Sequence, residues 1–170
     1  VMGKTMDVIA QIVFPELDKE AQQMLLEKCC DWENEYLRRN GGKLFPELED
    51  TLKKLKKRYH LYIVSNCQSG YIEAFLDYYN FGQYFEDIEC YGNNEKSKGD
   101  NIRLVMERNG LEQTIYVGDI QGDYEATMQA GAAFIHAKYG FGTINTKVAE
   151  IEKFSDLPEV AAKVFQEMEA

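Results

Sequence analysis

No apolar run in this 170-residue chain is long enough to span a bilayer, and no signal-peptide pattern is present, so neither a membrane segment nor a secretory leader is expected. Histidine is scarce, with two residues, and the four cysteines (Cys29, Cys30, Cys67, Cys90) show no C-x-x-C spacing. Zinc is therefore disfavoured, a disulfide framework is not suggested at this size, and a reduced, cytoplasmic setting is expected. Basic charge is also in short supply. Nineteen Lys and Arg face 29 Asp and Glu, a formal net charge of −10. That balance argues against nucleic acid or an anionic membrane as a partner, because both need a basic face. The one basic cluster, "KKLKKRY" at 53–59, interleaves with Leu48, Leu52 and Leu55 at helical spacing and reads as the solvated face of a helix. Internal repeats and low-complexity tracts are missing.

What is present is an ordinary globular composition, 45% hydrophobic and 28% charged. One domain, or one with a small appendage, is the expectation at this length. Such a chain buries roughly two-thirds of its unfolded surface, enough for a self-supporting core.

The first forty residues read as purely helical. Thr5 can cap a helix with Val8, Ile9, Ile12 and Val13 on one side, and Phe14-Pro15 stops it. A longer helix follows, with Leu25, Cys29, Trp32 and Tyr36 on one stripe, expected to pack inside this unit or against the core. Dimerisation through the same stripe is the rival reading. The helix ends at Asn40-Gly41-Gly42, a natural boundary. The predicted organisation is thus a helical unit over 1–42 and an α/β unit over 43–170. In the latter, "PELEDTLKKLKKR" predicts a helix with Pro46 at its start. Then "LYIVS" (61–65), "DIEC" (87–90), "TIYVG" (114–118) and "AAFIHA" predict strands. Amphipathic helices separate them, and a final helix starts near Ser155 or Asp156. Short, continuously apolar strands alternating with helices mean a parallel sheet covered on both faces.

In open parallel sheets, ligands bind at the carboxyl ends of the strands. Strand 61–64 delivers Ser65 and Asn66 there, and strand 114–117 delivers Gly118 and Asp119 with Asp123 behind. The loop before a helix at 102–109 carries Lys96 and Lys98. Each has a plain alternative: Ser65 as a turn residue, Lys98 as a solvated lysine, Asp123 as a helix cap. Together they suit a phosphate held with Mg²⁺, a hard cation that takes carboxylate and phosphate oxygens and keeps several waters. Asp119 is then a metal ligand, and Asp123 a second ligand or an orienter through water. Ser65 and the Asn66 amide hold phosphate oxygens, and Lys98 balances their charge. His136 reads as a structural histidine and Cys67 as a small buried hydrophobe.

The segments "IVSN", "KSKGDNI" and "YVGDIQGDYEATMQAGA", in this order, resemble the second, third and fourth motifs of the haloacid-dehalogenase-like (HAD) superfamily. The resemblance runs from about Phe45 to Gly142 and is most similar to the phosphoglycolate-phosphatase-like branch, which makes residues 1–42 part of a helical cap on a Rossmannoid core. It implies Mg²⁺-dependent phosphoryl transfer from a small phosphorylated metabolite, with Lys98 and Asp119 in catalytic roles. The nucleophile is an aspartate of a D-x-D motif on the first, central strand of the fold. A phosphomutase shares this core.

That motif is absent: none of the ten aspartates has another two residues on. Two accounts stay open. The strand lies upstream or on a second chain, or the protein binds phosphate and Mg²⁺ without turnover. The first is expected, because losing a central strand leaves two rows of unpaired backbone groups inside the core. It predicts a gap or an exchanged strand beside strand 114–118.

Overall fold

A computed structural model describes residues 3–169 of the chain. The architecture is α/β: parallel strands with helices on both faces, preceded by two helices. No helix among the described residues is long and apolar enough to cross a membrane.

Helices α1 (Met6–Val13) and α2 (Lys19–Asn40) form the leading unit. Asp18 caps α2, its carboxylate accepting the Ala21 amide at 2.9 Å. Gly41 ends it at φ +63°, where a β-carbon would come within 2.2 Å of the Tyr78 ring. The orientation of α2 differs from the sequence expectation. Trp32 is 68% exposed and stacks on half-exposed Tyr36, while Cys29 also faces solvent. Inward go the polar residues Gln22 and Asn34. Gln22 turns in to donate to the Phe14 carbonyl at 2.8 Å, and Asn34 turns in because α2 meets the turn at Gln68–Gly70, whose polar groups need partners more than they need hydrocarbon. Asn34 Nδ2 donates to the Ser69 carbonyl at 2.8 Å, and Gln68 Nε2 donates to Asn34 Oδ1 and Glu33 Oε2.

Helix α3 (Leu48–Lys56) begins two residues later than Pro46, because Glu47 adopts a left-handed backbone, φ +58°, just before it. It buries Leu52 and Leu55 and leaves Lys53 and Lys54 outside, as its pattern demands. Strands β1 (Tyr62–Ser65) and β2 (Asp87–Cys90) pair in parallel, with Ser65 opposite Cys90; α4 (Tyr71–Tyr79) is their crossover. A one-turn α5 (Tyr91–Asn94) leads to α6 (Lys98–Arg108). Strands β3 (Ile115–Gly118), β4 (Ala133–Ala137) and β5 (Ala149–Ile151) form a second parallel sheet, with α7 (Gln121–Ala130) between the first two and α8 (Leu157–Met168) last. Strand β5 was not expected from sequence, being three residues long with a charged centre.

The two sheets do not join. Among the described residues, strand β1 pairs only with β2, and β3 only with β4, so β1 and β3 face each other across a cleft of about 810 Å³. A break beside β3 is what the missing motif predicts. Which backbone groups line it follows from alternation along a strand. The Leu61 carbonyl bonds toward β2 and the Thr114 carbonyl toward β4. Backbone groups of Tyr62 and Val64, and of Ile115 and Val117, therefore face the cleft. Of these, the Val64 carbonyl accepts the Tyr116 hydroxyl at 2.9 Å. The side chains of the facing strands are apolar, Ile63 packing toward α3, Val117 toward α3 and α8, and Val64 toward α6 and α7, while Arg58, His60, Gln113 and Glu169 line part of the rest.

Arg108, in the last turn of α6, clamps the outer strand. Its guanidinium meets Asp87 through two nitrogens, Glu89 at 2.7 Å and the Ile88 carbonyl at 2.8 Å. Burial opposes the charge on both acids, yet each carboxyl lies below its ordinary pKa, Asp87 held there by Arg108 and then Asn109, Glu89 by Asn93 and then Arg108. Stability from depressed carboxyls is present above their unfolded pKa and lost as pH falls through the folded values. Arg108→Ala is expected to cost about 2–4 kcal/mol at pH 7, since Glu89 is left buried and unpaired. The penalty shrinks at acid pH, where the carboxyls protonate. Urea titration at neutral and acid pH measures both.

Candidate active site

The carboxyl ends of β1 and β3 open onto one mouth. Asn66 Nδ2 donates to the Gly3 carbonyl at 2.9 Å, and Gly3 packs against Ile120, where a β-carbon on it would come within 2.1 Å of the Ile120 side chain. The loop after β1 and the loop after β3 thus meet over the same N-terminal residue. Ser65 and Asn66 stand on one side, Asp119 and Ile120 on the other.

Lys98 is the first residue of α6 and not a loop residue. Ser97 caps the helix by accepting the Asp100 amide, a signal that "KSKGD" carried and that places the helix start earlier than its apolar pattern suggests. Asn101, fully buried, fixes the segment before it: its Nδ2 donates to the Lys96 carbonyl and its Oδ1 accepts from Asn94. The Lys96 side chain stays in solvent, so only Lys98 is turned inward.

Lys98 donates from Nζ to Asp123 Oδ1, with both side chains nearly buried. The other oxygen, Oδ2, accepts the amides of Asp119 at 3.0 Å and Ile120 at 3.4 Å. Asp123 lies at the third position of α7, so its carboxylate also faces the positive end of that helix. This explains the glycine at 118: a β-carbon there would come within 2.5 Å of Asp123 Cβ. The opening acids of the loop are therefore compensated differently. Asp123 is satisfied by a lysine and two amides within the chain, and it shapes the loop that presents Asp119.

Asp119 is half-buried at the mouth. Its Oδ2 accepts the Phe141 amide at 2.7 Å, and Oδ1 makes no hydrogen bond among the described residues. The glycine-rich "KYGFG" loop makes this contact, with Gly140 so close that a β-carbon would come within 2.2 Å of Asp119 Cβ. The two glycines after the strand suggest a loop close to the site from sequence alone, and the structure places the loop against Asp119.

Tyr116 is the residue that sequence reading missed. Alternation along β3 puts it on the same face as Gly118, beneath Lys98, whose Nζ lies 5.9 Å from the ring centre. Burial works against the Lys98 charge, but Tyr116 and Asp123 together hold its pKa above the ordinary lysine value. Burial pushes the Tyr116 hydroxyl up to about 12, Lys98 pulling the other way. The tyrosine therefore stays a neutral donor, tied to β1 across the cleft.

Among the described residues, no group of three or more His, Cys, Asp or Glu is gathered as a metal cage. A Mg²⁺ ion needs less: one or two carboxylates, with waters and a substrate phosphate making up the rest. Asp119, with one free oxygen at an open mouth, fits such a ligand. Asp123 fits the orienting part of its expected role. His136 is buried on β4 beside Gly118, with no partner for Nε2 among the described residues.

Comparison with known proteins follows the same lines. A family model described as haloacid dehalogenase-like hydrolase matches residues 1–137. The phosphoglycolate phosphatase of Shigella boydii is 29% identical over 135 residues, covering 74% of this chain and 52% of the relative; the chain spans about half the length of the curated relatives it matches. Two solved structures share the fold. A protein described as a predicted phosphoglycolate phosphatase from Haemophilus somnus superposes with TM-score 0.78 at 21% identity, over 94% of this chain and 79% of its own. A protein described as a predicted phosphatase from Clostridium acetobutylicum gives 0.71 at 19% identity, over 95% and 78%. With its motif order, its parallel α/β core and a family match over four-fifths of its length, the chain belongs to the haloacid dehalogenase-like hydrolases.

Proposed function

We propose that the chain is the greater part of a Mg²⁺-dependent phosphatase acting on a small phosphorylated metabolite, completed by one extended strand in the cleft between β1 and β3. The observation that carries this reading is the pairing of that cleft with the polar mouth above it. An occupant running parallel to both strands ends its course between Ser65 and Asp119, where an aspartate on it meets a bound phosphoryl group. Attack by that aspartate would form an O–P bond as the ester P–O bond breaks, the substrate's alcohol leaving with a proton, and water would then hydrolyse the aspartyl-phosphate to free phosphate; this placement suits that chemistry. We assign the occupant to the segment upstream of residue 1, because Gly3 already sits at the mouth.

In this scheme Ser65 and the Asn66 backbone amide hold phosphoryl oxygens, and Lys98 offsets their charge from a nearly dry position. Asp123 locks the Lys98 head and the amides of the 119–120 turn. Asp119 holds Mg²⁺ through Oδ1, and when bound the ion supplies charge neutralisation at the phosphoryl group. Support also comes from the curated relatives, which are named phosphoglycolate phosphatases.

The test is phosphate release from p-nitrophenyl phosphate by protein carrying its upstream segment. Turnover is expected to require Mg²⁺, to vanish with a chelator and to vanish on Asp119→Asn. Turnover that survives chelation overturns the reading. Binding of phosphate and Mg²⁺ without any turnover favours a non-catalytic phosphate-binding module, the reading that the missing D-x-D pair would then support.

A further inference from the structure

One pair of nucleophilic groups is not used by the phosphatase scheme. Cys67 follows the phosphate-holding residues Ser65 and Asn66, and Cys90 ends β2 directly opposite Ser65. The sequence separates the two by more than twenty residues and shows no C-x-x-C, so each reads alone as a small apolar side chain. The fold brings them together. The register continues beyond the strands, the Gly92 amide donating to the Cys67 carbonyl at 3.0 Å. Residues two apart on neighbouring strands share a face, and Cys67 packs against the buried cluster that contains Cys90. The Cys90 sulfur lies 3.6 Å from the Gln68 carbonyl, hard against the turn that carries Cys67.

The two thiols differ in a useful way. Cys67 is half-buried and can be reached from solvent, whereas Cys90 is 1% exposed. The neighbouring Cys90 thiol pulls the Cys67 thiol below its ordinary pKa despite burial, and Cys90 is pushed up in turn by Cys67 and by burial. One member is thus the more acidic and more accessible thiol and the other a protected partner able to resolve it, the arrangement that redox-sensing pairs require.

We propose that Cys67 and Cys90 are a modification site, closing to a reversible disulfide when the protein meets a hydroperoxide. With hydrogen peroxide, the Cys67 thiolate attacks one peroxide oxygen; an S–O bond forms, the O–O bond breaks, and the hydroxide released takes up a proton as water (an alkyl hydroperoxide releases its alcohol instead). Cys90 then attacks the Cys67 sulfur and loses its proton. The S–S bond forms, the S–O bond breaks, and a second water leaves. The two sulfurs give up two electrons and the peroxide gains them. A thiol reductant reverses the bond.

Closure draws Cys67 toward β2. Its amide, 3.3 Å from the Ser65 hydroxyl, must follow, so the turn that holds phosphoryl oxygens is pulled out of shape. This consequence rests on the proposed phosphatase reading; the disulfide itself does not.

The experiment uses Cys29→Ser/Cys30→Ser protein, which removes the exposed vicinal pair on α2. After hydrogen peroxide, free thiols are alkylated, and the digest is read by mass spectrometry before and after reduction. The expected result is a cross-linked peptide joining 67 to 90 that disappears on reduction, with both thiols lost from alkylation together. In Cys90→Ala protein, Cys67 is expected to go on to the sulfinic acid under the same dose. A sulfinic acid at Cys67 with Cys90 still alkylatable in the parent, or both thiols surviving the dose that oxidises Cys29 in unaltered protein, overturns the proposal. With the upstream segment present, phosphate release should fall on oxidation and return with dithiothreitol. Cross-linking that leaves turnover unchanged overturns the regulatory part. A protein with no turnover before oxidation overturns the phosphatase reading and leaves the disulfide standing.

Discussion

Lys98→Ala is expected to cost the protein about 3–5 kcal/mol of stability, because it leaves Asp123 buried with only two backbone amides for company. Removing the lysine is worse than removing the pair. Lys98→Met/Asp123→Leu deletes both charges and should recover part of the loss, whereas each single change leaves one desolvated group unmatched. The pH sign follows from the direction of the shift. The Lys98 pKa is raised in the folded protein, so its contribution is fully present below the ordinary lysine value of 10.5 and is lost only as pH climbs through the higher folded value. The difference between parent and Lys98→Ala should therefore be level across neutral pH and shrink only in strong alkali. In protein carrying the upstream segment, the same change is expected to lower kcat by roughly 10²–10³, the effect of deleting one preorganised charge from a phosphoryl site. Denaturant titration and steady-state kinetics read the two effects separately. Unchanged stability would mean that the Lys98–Asp123 contact is incidental, and Asp119 would lose the support assigned to it.

The Lys98–Asp123 contact also shows how much of the placement was legible in the sequence. The order Ser65, Lys98, Asp119, Asp123 along the chain, each residue after a strand or at a helix start, was enough to place them on one rim. Spacing was enough for Asp123 to be near Asp119, since one helical turn separates them. Division of labour between the acids was not legible, because it depends on which carboxylate the lysine reaches, and that is a matter of the α6 start. Apolar periodicity put that start too late; the capping serine put it right. The orientation of α2 failed for a different reason. An aromatic stripe predicts burial only when the facing surface is apolar, and the facing turn at Gln68–Gly70 is polar. Trp32 and Tyr36 instead cover each other. Tyr116 and the Cys67–Cys90 contact are long-range facts, set by register and crossover, and no local pattern encodes them. The break in the sheet, by contrast, was inferred from a missing motif, because a strand that holds a fold's centre cannot be absent without leaving its neighbours apart.

Filling that break is expected to produce the largest change of all in stability. A strand lying between β1 and β3, one strand spacing of about 4.8 Å from each, gains main-chain hydrogen bonds on both edges and buries apolar side chains on both faces. At about 1 kcal/mol net per bond and 1.5–3 kcal/mol per buried side chain, less the cost of ordering the strand, the gain is on the order of 5 kcal/mol. For a chain of this length that is roughly 10–20 °C in thermal midpoint. The pattern of amide hydrogen exchange tests the geometry more sharply than the midpoint does. In the chain alone, the amides of Tyr62, Val64, Ile115 and Val117 face the cleft and should exchange fast. Those of Ile63, Ser65, Tyr116 and Gly118 point at β2 or β4 and should already be protected. Adding the upstream segment should slow the first set by about 10³–10⁴ and the second set far less, giving an every-other-residue signature on both strands at once. Protection that rises on β1 but not on β3 would place the new segment at one edge only, as a docked strand and not a central one. Protection unchanged on both would mean that the cleft takes no strand, and the aspartate that the phosphatase chemistry requires would have no path to the mouth beside Asp119.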